Sequence, residues 1–128
     1  MILADTDVLI DYLAGIQPVM AQIARYAEAR LLETTAVNCF ELLSGAGEGK
    51  RGDAIRLILS AIEVLPLDRA AATQAAQVRR ELERTGQPIG MGDSLIAGIA
   101  LANHIALFTR NRKHFERVPN LELVEIQE

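Results

Sequence analysis

Residues 2–11 read Ile-Leu-Ala-Asp-Thr-Asp-Val-Leu-Ile-Asp. A three-residue apolar run, Ile2–Ala4, stops at Asp5, and a helix-like pattern starts at once. In an open α/β sheet the ligand crevice lies outside the carboxyl ends of the strands, where loops feed helices. An aspartate at such a junction directs its carboxylate into the crevice. If Asp5 marks a site, other acids must converge on it from later strand or helix ends, and Glu41 and Asp93 are the two best placed.

Working outward, Thr6 or Asp7 is expected to cap a helix over Val8–Leu13 that Gly15 closes. That assignment leaves Asp5 without a structural task. Asp7 and Asp11 then fall at i and i+4, a like-charge pair costing a few tenths of a kcal/mol that a cation or basic partner would relieve. Pro18 starts a second helix to about Ala29, with Val19, Ile23 and Ala27 inward. Leu31–Val37 reads as a second strand, and Asn38 as the cap of the next helix. In that helix Glu41 stands in an otherwise apolar turn of Cys39, Phe40, Leu42 and Leu43.

Ser44–Gly52 holds four glycines and reads as a mobile loop. Asp53–Ile62 has helical spacing, and Ile62–Leu67, broken by Pro66, reads as a third strand near an edge. Asp68 caps a helix to Arg84 whose inner face is Ala71, Ala75, Val78 and Leu82. Asp93 opens a largely buried helix to Asn103. Ile105–Phe108 forms a fourth strand, Arg112–Arg117 a short helix, and Leu121–Ile126 a last strand. Alternating strands and helices call for α/β architecture: one domain over residues 1–128, with a mainly parallel sheet of four to five strands between helical layers.

The 128 residues suit one compact core, and the chain is half apolar but only 4% aromatic. No apolar run reaches the roughly 20 residues of a membrane span, and no signal peptide is recognisable. The single Cys39 rules out an intrachain disulfide and fits a reducing, cytoplasmic setting. The net charge of −4 argues against bulk nucleic-acid binding. The average hides a pattern, however: Asp5, Asp7 and Asp11 near the start, and Arg110, Arg112, Lys113 and Arg117 near the end. Acidic ligands facing basic flanks suit a phosphodiester substrate.

Each acid also has an ordinary reading. Asp5 and Asp93 suit helix caps, Glu41 a solvated helix face, Asn111 a turn, and His104 and His114 helix-end or exposed positions. There is no HExxH, no paired CxxC and no Walker A loop. Three or four oxygen ligands without His or Cys suit Mg²⁺ or Mn²⁺. Such an ion activates water and polarises a phosphodiester, so no side-chain nucleophile is needed.

Four segments together resemble PIN-domain proteins, and most of all VapC-type toxin ribonucleases. They are ILADTDVLIDYLAG, Asn38-Cys39-Phe40-Glu41-Leu42, PIGMGDSLIAGIALANH and LFTRNRKHFERVPNLELV, and they span nearly the whole chain. The resemblance implies a three-layer α/β/α nuclease that holds Mg²⁺ or Mn²⁺ and cleaves RNA. It further implies a homodimer inhibited by a VapB-like antitoxin, with operator DNA bound only through that complex. Asp5, Glu41 and Asp93 match the family's first three acids. Asn111 falls where the family's last acid stands, which puts a second metal in doubt, and Asp7 stands where many relatives have Asn, which makes it a weak ligand or a support behind the ligands. Thr109 is expected to orient Asn111 or a phosphate, and Arg110, Arg112 and Lys113 to contact RNA.

Two rival readings remain open. Asp5-Thr6-Asp7 also fits a haloacid-dehalogenase-like phosphatase with Asp5 as covalent nucleophile. A catalytically degenerate, regulatory PIN homologue would carry the same acids as caps.

Overall fold

The computed structural model describes residues 1–128 as four strands and seven helices. The strands are β1 (Ile2–Ala4), β2 (Leu32–Thr35), β3 (Glu63–Leu65) and β4 (Ala106–Phe108). The helices are α1 (Thr6–Ala14), α2 (Val19–Glu28), α3 (Ala36–Ala46), α4 (Lys50–Ala61), α5 (Arg69–Arg84), α6 (Met91–Asn103) and α7 (Arg112–Phe115).

All pairings are parallel and the strand order is β3-β2-β1-β4. The chain therefore winds outward from β1 to β3, then returns to add β4 on the other side of β1. With right-handed crossovers the outward helices lie on one face of the sheet and the returning pair on the other. The buried side chains divide accordingly. Leu3, Leu65 and Leu107 pack with Ala71, Val78, Leu82, Ile96 and Ile99 of α5 and α6. Ala4, Leu32 and Phe108 pack with Val8, Leu9, Val19, Ile23 and Ile55 on the α1–α4 side. The direction of winding reverses at β1, so the crevice between the carboxyl ends of β1 and β4 is where such a fold places a site.

The returning pair is set close by small residues. A Cβ on Gly98 would lie 2.5 Å from the Ala71 carbonyl oxygen and 2.6 Å from the Ala75 Cβ. Only glycine lets α6 approach α5 at that point, and α6 carries Asp93 at its start. The α5 assignment holds closely: Asp68 caps it through Ala71 N–H at 2.9 Å, and Ala71, Ala75, Val78 and Leu82 are all buried.

Several sequence expectations are corrected. The glycine-rich segment 44–52 is mostly helical, because α3 runs to Ala46 and α4 begins at Lys50. Only residues 47–49 intervene. Gly47 and Gly49 take positive φ (62° and 95°), so these two glycines form the turn rather than a long loop. Helix α3 is capped by Thr35, whose hydroxyl accepts from Asn38 N–H at 3.0 Å, and Asn38 lies inside the helix. Gly90, not Asp93, precedes α6, which starts at Met91. Ala27 is exposed, and Gln22 takes the buried place, bonding Glu125 O and Gln127 N–H of the C-terminal segment. That segment makes a single bridge, Leu107 to Leu123, in place of a fifth strand. Its alternating side chains reach the core, but only two backbone bonds join it to β4.

Candidate active site

Asp5 caps α1 itself. Its backbone is extended, its Oδ1 accepts Thr6 N–H at 2.8 Å, and its own N–H continues the ladder to Phe108 O at 2.9 Å. The expectation that Thr6 or Asp7 caps this helix is thereby overturned. The strand-to-helix junction is one residue long, so Asp5 alone occupies the non-helical capping position. Capping and site geometry thus fall on one carboxylate.

Two further donors hold that carboxylate. Asn38 Nδ2 reaches Oδ1 at 2.9 Å and Thr109 Oγ1 reaches Oδ2 at 2.7 Å. Asp5 is only 7% exposed. A buried charge is tenable only with such partners, and here they come from α1, α3 and the end of β4.

Asn38 is fully buried and links two of the acids. Its Oδ1 accepts from Thr35 Oγ1 at 2.7 Å, which directs Nδ2 to Asp5, to Thr6 Oγ1 at 2.9 Å and towards Glu41 Oε1 at 3.5 Å. Thr6 in turn donates to Glu41 Oε1 at 2.7 Å. Glu41 stands one turn after Asn38 on α3, so a single helix face presents both. Its side chain is exposed, and the start of α6 passes beside it, a Cβ on Gly92 lying 3.7 Å from Oε2.

Asp93, in the first turn of α6, completes the group. Burial, and after it the charge of Asp5, raise its carboxyl above the ordinary aspartate range. Asn111 Nδ2 approaches Asp93 Oδ2 at 3.3 Å, and the Asn111 N–H donates to Thr109 Oγ1 at 3.0 Å. Thr109 therefore orients Asn111 through the main chain while bonding Asp5 through its hydroxyl hydrogen. His114 Nδ1 lies 3.0 Å from Asn111 Nδ2 and 3.5 Å from Asp93 Oδ2.

Asp7 is a further acid close to Asp5. Its Oδ2 accepts Arg110 N–H at 3.0 Å, while Oδ1 is buried without any hydrogen-bond partner. Burial first, then the neighbouring Asp5 charge, push its carboxyl up to about 6. Asp11 is buried too, but Arg110 Nε meets its Oδ2 at 2.8 Å, which supplies the basic partner that the acidic helix face requires.

The basic segment is partly committed elsewhere. Arg110 serves Asp11 and Arg112 bonds Val124 O at 2.9 Å and Glu125 at 3.1 Å, whereas Lys113 is exposed and forms no ion pair. The structure thus brings together Asp5, Asp7, Glu41, Asp93 and Asn111, whereas Arg110 reaches this group through Asp11 and Asp7, and Arg112 turns to the C-terminal segment. Asn38 and Thr6 went unrecognised as site residues. The available signals were the i, i+3 spacing of Asn38 and Glu41 and a polar Thr34-Thr35 pair in a short strand.

No three His, Cys, Asp or Glu side chains are gathered closely enough to form a ready metal cluster. The residues still fit a hard divalent cation. The donors are all oxygen, Asp7 Oδ1 is buried and unsatisfied, and the Asp5 charge raises both Asp7 and Asp93. A cation between these groups would relieve each of those costs.

A parallel α/β sheet with acids converging at its switch point suits a hydrolase acting on phosphate esters, and the comparisons narrow that class. The PIN domain family model matches residues 2–121, and the chain belongs to the PIN-domain family. It is 38% identical over 91 residues to the tRNA(fMet)-specific endonuclease VapC of Shigella flexneri, covering 68% of this chain and 69% of that one. It is 32% identical over 122 residues to ribonuclease VapC10 of Mycobacterium tuberculosis, covering 95% and 91%. Among solved structures, VapBC2 from Rickettsia felis bound to a promoter DNA fragment superposes with a TM-score of 0.85. That match has 26% identity and covers 97% of this chain and 98% of that one. Membership of this family removes the ground for the phosphatase reading.

Proposed function

We propose that this chain is a metal-dependent endoribonuclease, the toxin of a VapBC-like toxin–antitoxin pair that restrains translation by cutting RNA. The observation that supports it best is the linked set Asp5, Glu41 and Asp93, tied through Asn38, Thr6, Thr109 and Asn111 at the sheet's switch point. The VapC relatives named as ribonucleases, and the Rickettsia felis VapBC complex on DNA, make the same reading.

Asp5 and Asp93 would hold Mg²⁺ or Mn²⁺, with Asn111 and Asp7 as weaker oxygens. Such an ion, when bound, supplies Lewis acidity and lowers the pKa of water. Glu41, exposed and fixed by Thr6, is placed to orient the attacking water and take up its proton. Thr109 and Asn38 keep the Asp5 carboxylate oriented. Lys113, with no ion pair of its own, is the basic residue freest to meet an RNA phosphate, and Arg110 and Arg112 flank it. The partners in this reading are RNA, a VapB-like antitoxin, a second copy of the chain as homodimer, and operator DNA through the antitoxin complex.

Incubating the protein with total RNA in Mg²⁺ or Mn²⁺, with and without EDTA, tests the reading. Discrete metal-dependent products that vanish in Asp5→Ala are expected. Absence of cleavage by folded protein in both metals, across total RNA, would turn the reading towards the catalytically degenerate homologue.

A further inference from the structure

Three consecutive residues after β4 each reach a different acid of the site. Thr109 bonds Asp5 at 2.7 Å, Arg110 N–H bonds Asp7 at 3.0 Å, and Asn111 approaches Asp93 at 3.3 Å. None of the three lies in a helix or strand, and α7, which follows, is a single turn of four residues. So short a helix cannot hold itself together, so other elements must fix this stretch. Phe115 does so at the end of α7, buried in the α5–α6 core. Arg112 does so directly after Asn111. Its guanidinium donates to Val124 O at 2.9 Å and to Glu125 Oε1 at 3.1 Å, and its Nε lies 3.7 Å from Glu116.

The segment that Arg112 grips has its own anchor. It runs beside β4, but only Leu107 pairs with it, through Glu122 O and Val124 N–H at 2.9 Å each. Beyond that point a side chain takes the place of a neighbouring strand. Gln22 of α2 is fully buried; its Nε2 donates to Glu125 O at 2.8 Å and its Oε1 accepts Gln127 N–H at 2.8 Å. Those two main-chain groups fix which way round the amide stands, and Nε2 also meets Tyr26 OH at 2.9 Å. A carboxamide thus stands in for a peptide group of a ladder, which is how residues 124–127 are held where a fifth strand was expected.

We propose that Arg112 is a positioning residue that ties Thr109–Asn111 to the C-terminal segment, with Gln22 as the anchor at the far end, and that it is not a contact for RNA phosphate. The Glu125 side of the grip is 83% exposed and adds little; the part-buried Val124 carbonyl is the side that holds. The tie itself stands without the nuclease reading, on which only its effect on cleavage rests.

Nitrogen-15 relaxation on the full chain reads the tie without substrate. In the wild type the amides of Thr109, Arg110 and Asn111 should have order parameters of about 0.85, as rigid backbone does. In Arg112→Met, and again in Gln22→Met, they should fall towards about 0.6 or broaden, while those of α5 and α6 stay unchanged. In the Arg112→Met background, Gln22→Met should add little at residues 109–111, because the tie is already cut. Arg112→Lys keeps a charge for phosphate but not the planar fork that meets two acceptors, so it should behave like Arg112→Met.

Cleavage of RNA should lose about 10–100-fold in kcat in Arg112→Met, the scale of a small misplacement of reacting groups. Glu125→Ala should lose no more than about twofold. RNA binding in EDTA, measured across salt concentrations, separates a tie from a phosphate contact. A lost contact would flatten the slope of log affinity against log salt by about 0.7, as expected for Lys113→Ala and not for Arg112→Met. Unchanged order at residues 109–111 in Arg112→Met would overturn the proposal, whatever the slope. Loosening that spreads equally through α5 and α6 would overturn it too, by making Arg112 a general support of the fold. If the wild type cuts no RNA, the nuclease reading fails, and the relaxation measurement still decides the tie.

Discussion

Two groups of carboxylates lie at opposite ends of the same sheet, and they are built differently. At the carboxyl end, buried Asp5 receives donors from Thr6, Asn38 and Thr109. Towards the amino end, Glu33 of β2 stands in register with Glu63 of β3. Glu33 is 4% exposed and its Oε1 has no partner at all. Burial, then Glu63 as hydrogen-bond partner and as charge, raise the Glu33 carboxyl, and the N-terminal ammonium offsets only part of that. One end of the sheet surrounds a buried acid with donors, and the other sets two acids side by side with little to offset their charge. Burial alone does not set Asp5 apart from Glu33; the supply of donors from several elements does.

The sharpest way to break the contrast is to remove the acid that the donors surround. Asp5→Ala should abolish RNA cleavage, a loss beyond the 10–100-fold typical of residues that only orient a ligand. Circular dichroism should show the helical content unchanged, because losing one helix cap costs only about 0.5–2 kcal/mol. Cleavage retained near wild-type rate would detach the function from this end of the sheet.

Removing a donor instead of the acid should do less. Asn38→Ala leaves Asp5 with two donors and frees Glu41 from the shared amide, so cleavage should fall about 10–100-fold. Thr35 Oγ1 also loses its acceptor, and leaving buried polar groups unpaired costs about 1–3 kcal/mol in urea unfolding. A fall in stability with cleavage unchanged would reduce Asn38 to a structural residue.

Arg110 separates charge pairing from substrate contact. Arg110→Ala leaves Asp11 buried without its 2.8 Å partner, and stability should drop by about 1–3 kcal/mol. If Arg110 instead served RNA alone, the variant would unfold at the wild-type urea midpoint.

Much of this was legible beforehand, and what was missed follows from particular residues. The apolar period of Ala71, Ala75, Val78 and Leu82 fixes α5, because a one-sided helix reads from sequence. The convergence of Asp5, Glu41 and Asp93 follows from parallel topology, since consecutive strand ends share one side. Boundaries around glycine were misread: four glycines at 44–52 suggest a loop, yet Gly45 and Gly52 are helical and only Gly47 and Gly49 need positive φ. Local pattern makes Asn38 a cap, because it cannot show that its amide bonds Asp5, 33 residues away. The last strand was expected from alternation at 121–126. Alternation reports burial of one side, however, and not the backbone pairing that makes a strand.

The smallest effect sharpens the contrast from its other end. In Glu33 the folded-state pKa is raised above the value of 4.5 that an unperturbed glutamate has. The stabilisation it contributes is therefore complete below about pH 4.5 and is lost as pH rises through the folded value. Glu33→Gln keeps the shape and removes the charge, so it should unfold like wild type at pH 4. At pH 7.5 it should be more stable by about 0.2–1 kcal/mol, the scale of an interaction between opposed strand residues. Urea midpoints at the two pH values measure the difference directly. A variant less stable at pH 7.5 would mean that Glu33 is satisfied as a charge after all. The two ends of the sheet would then treat their acids alike, and donor supply would lose its value as the mark of the functional end.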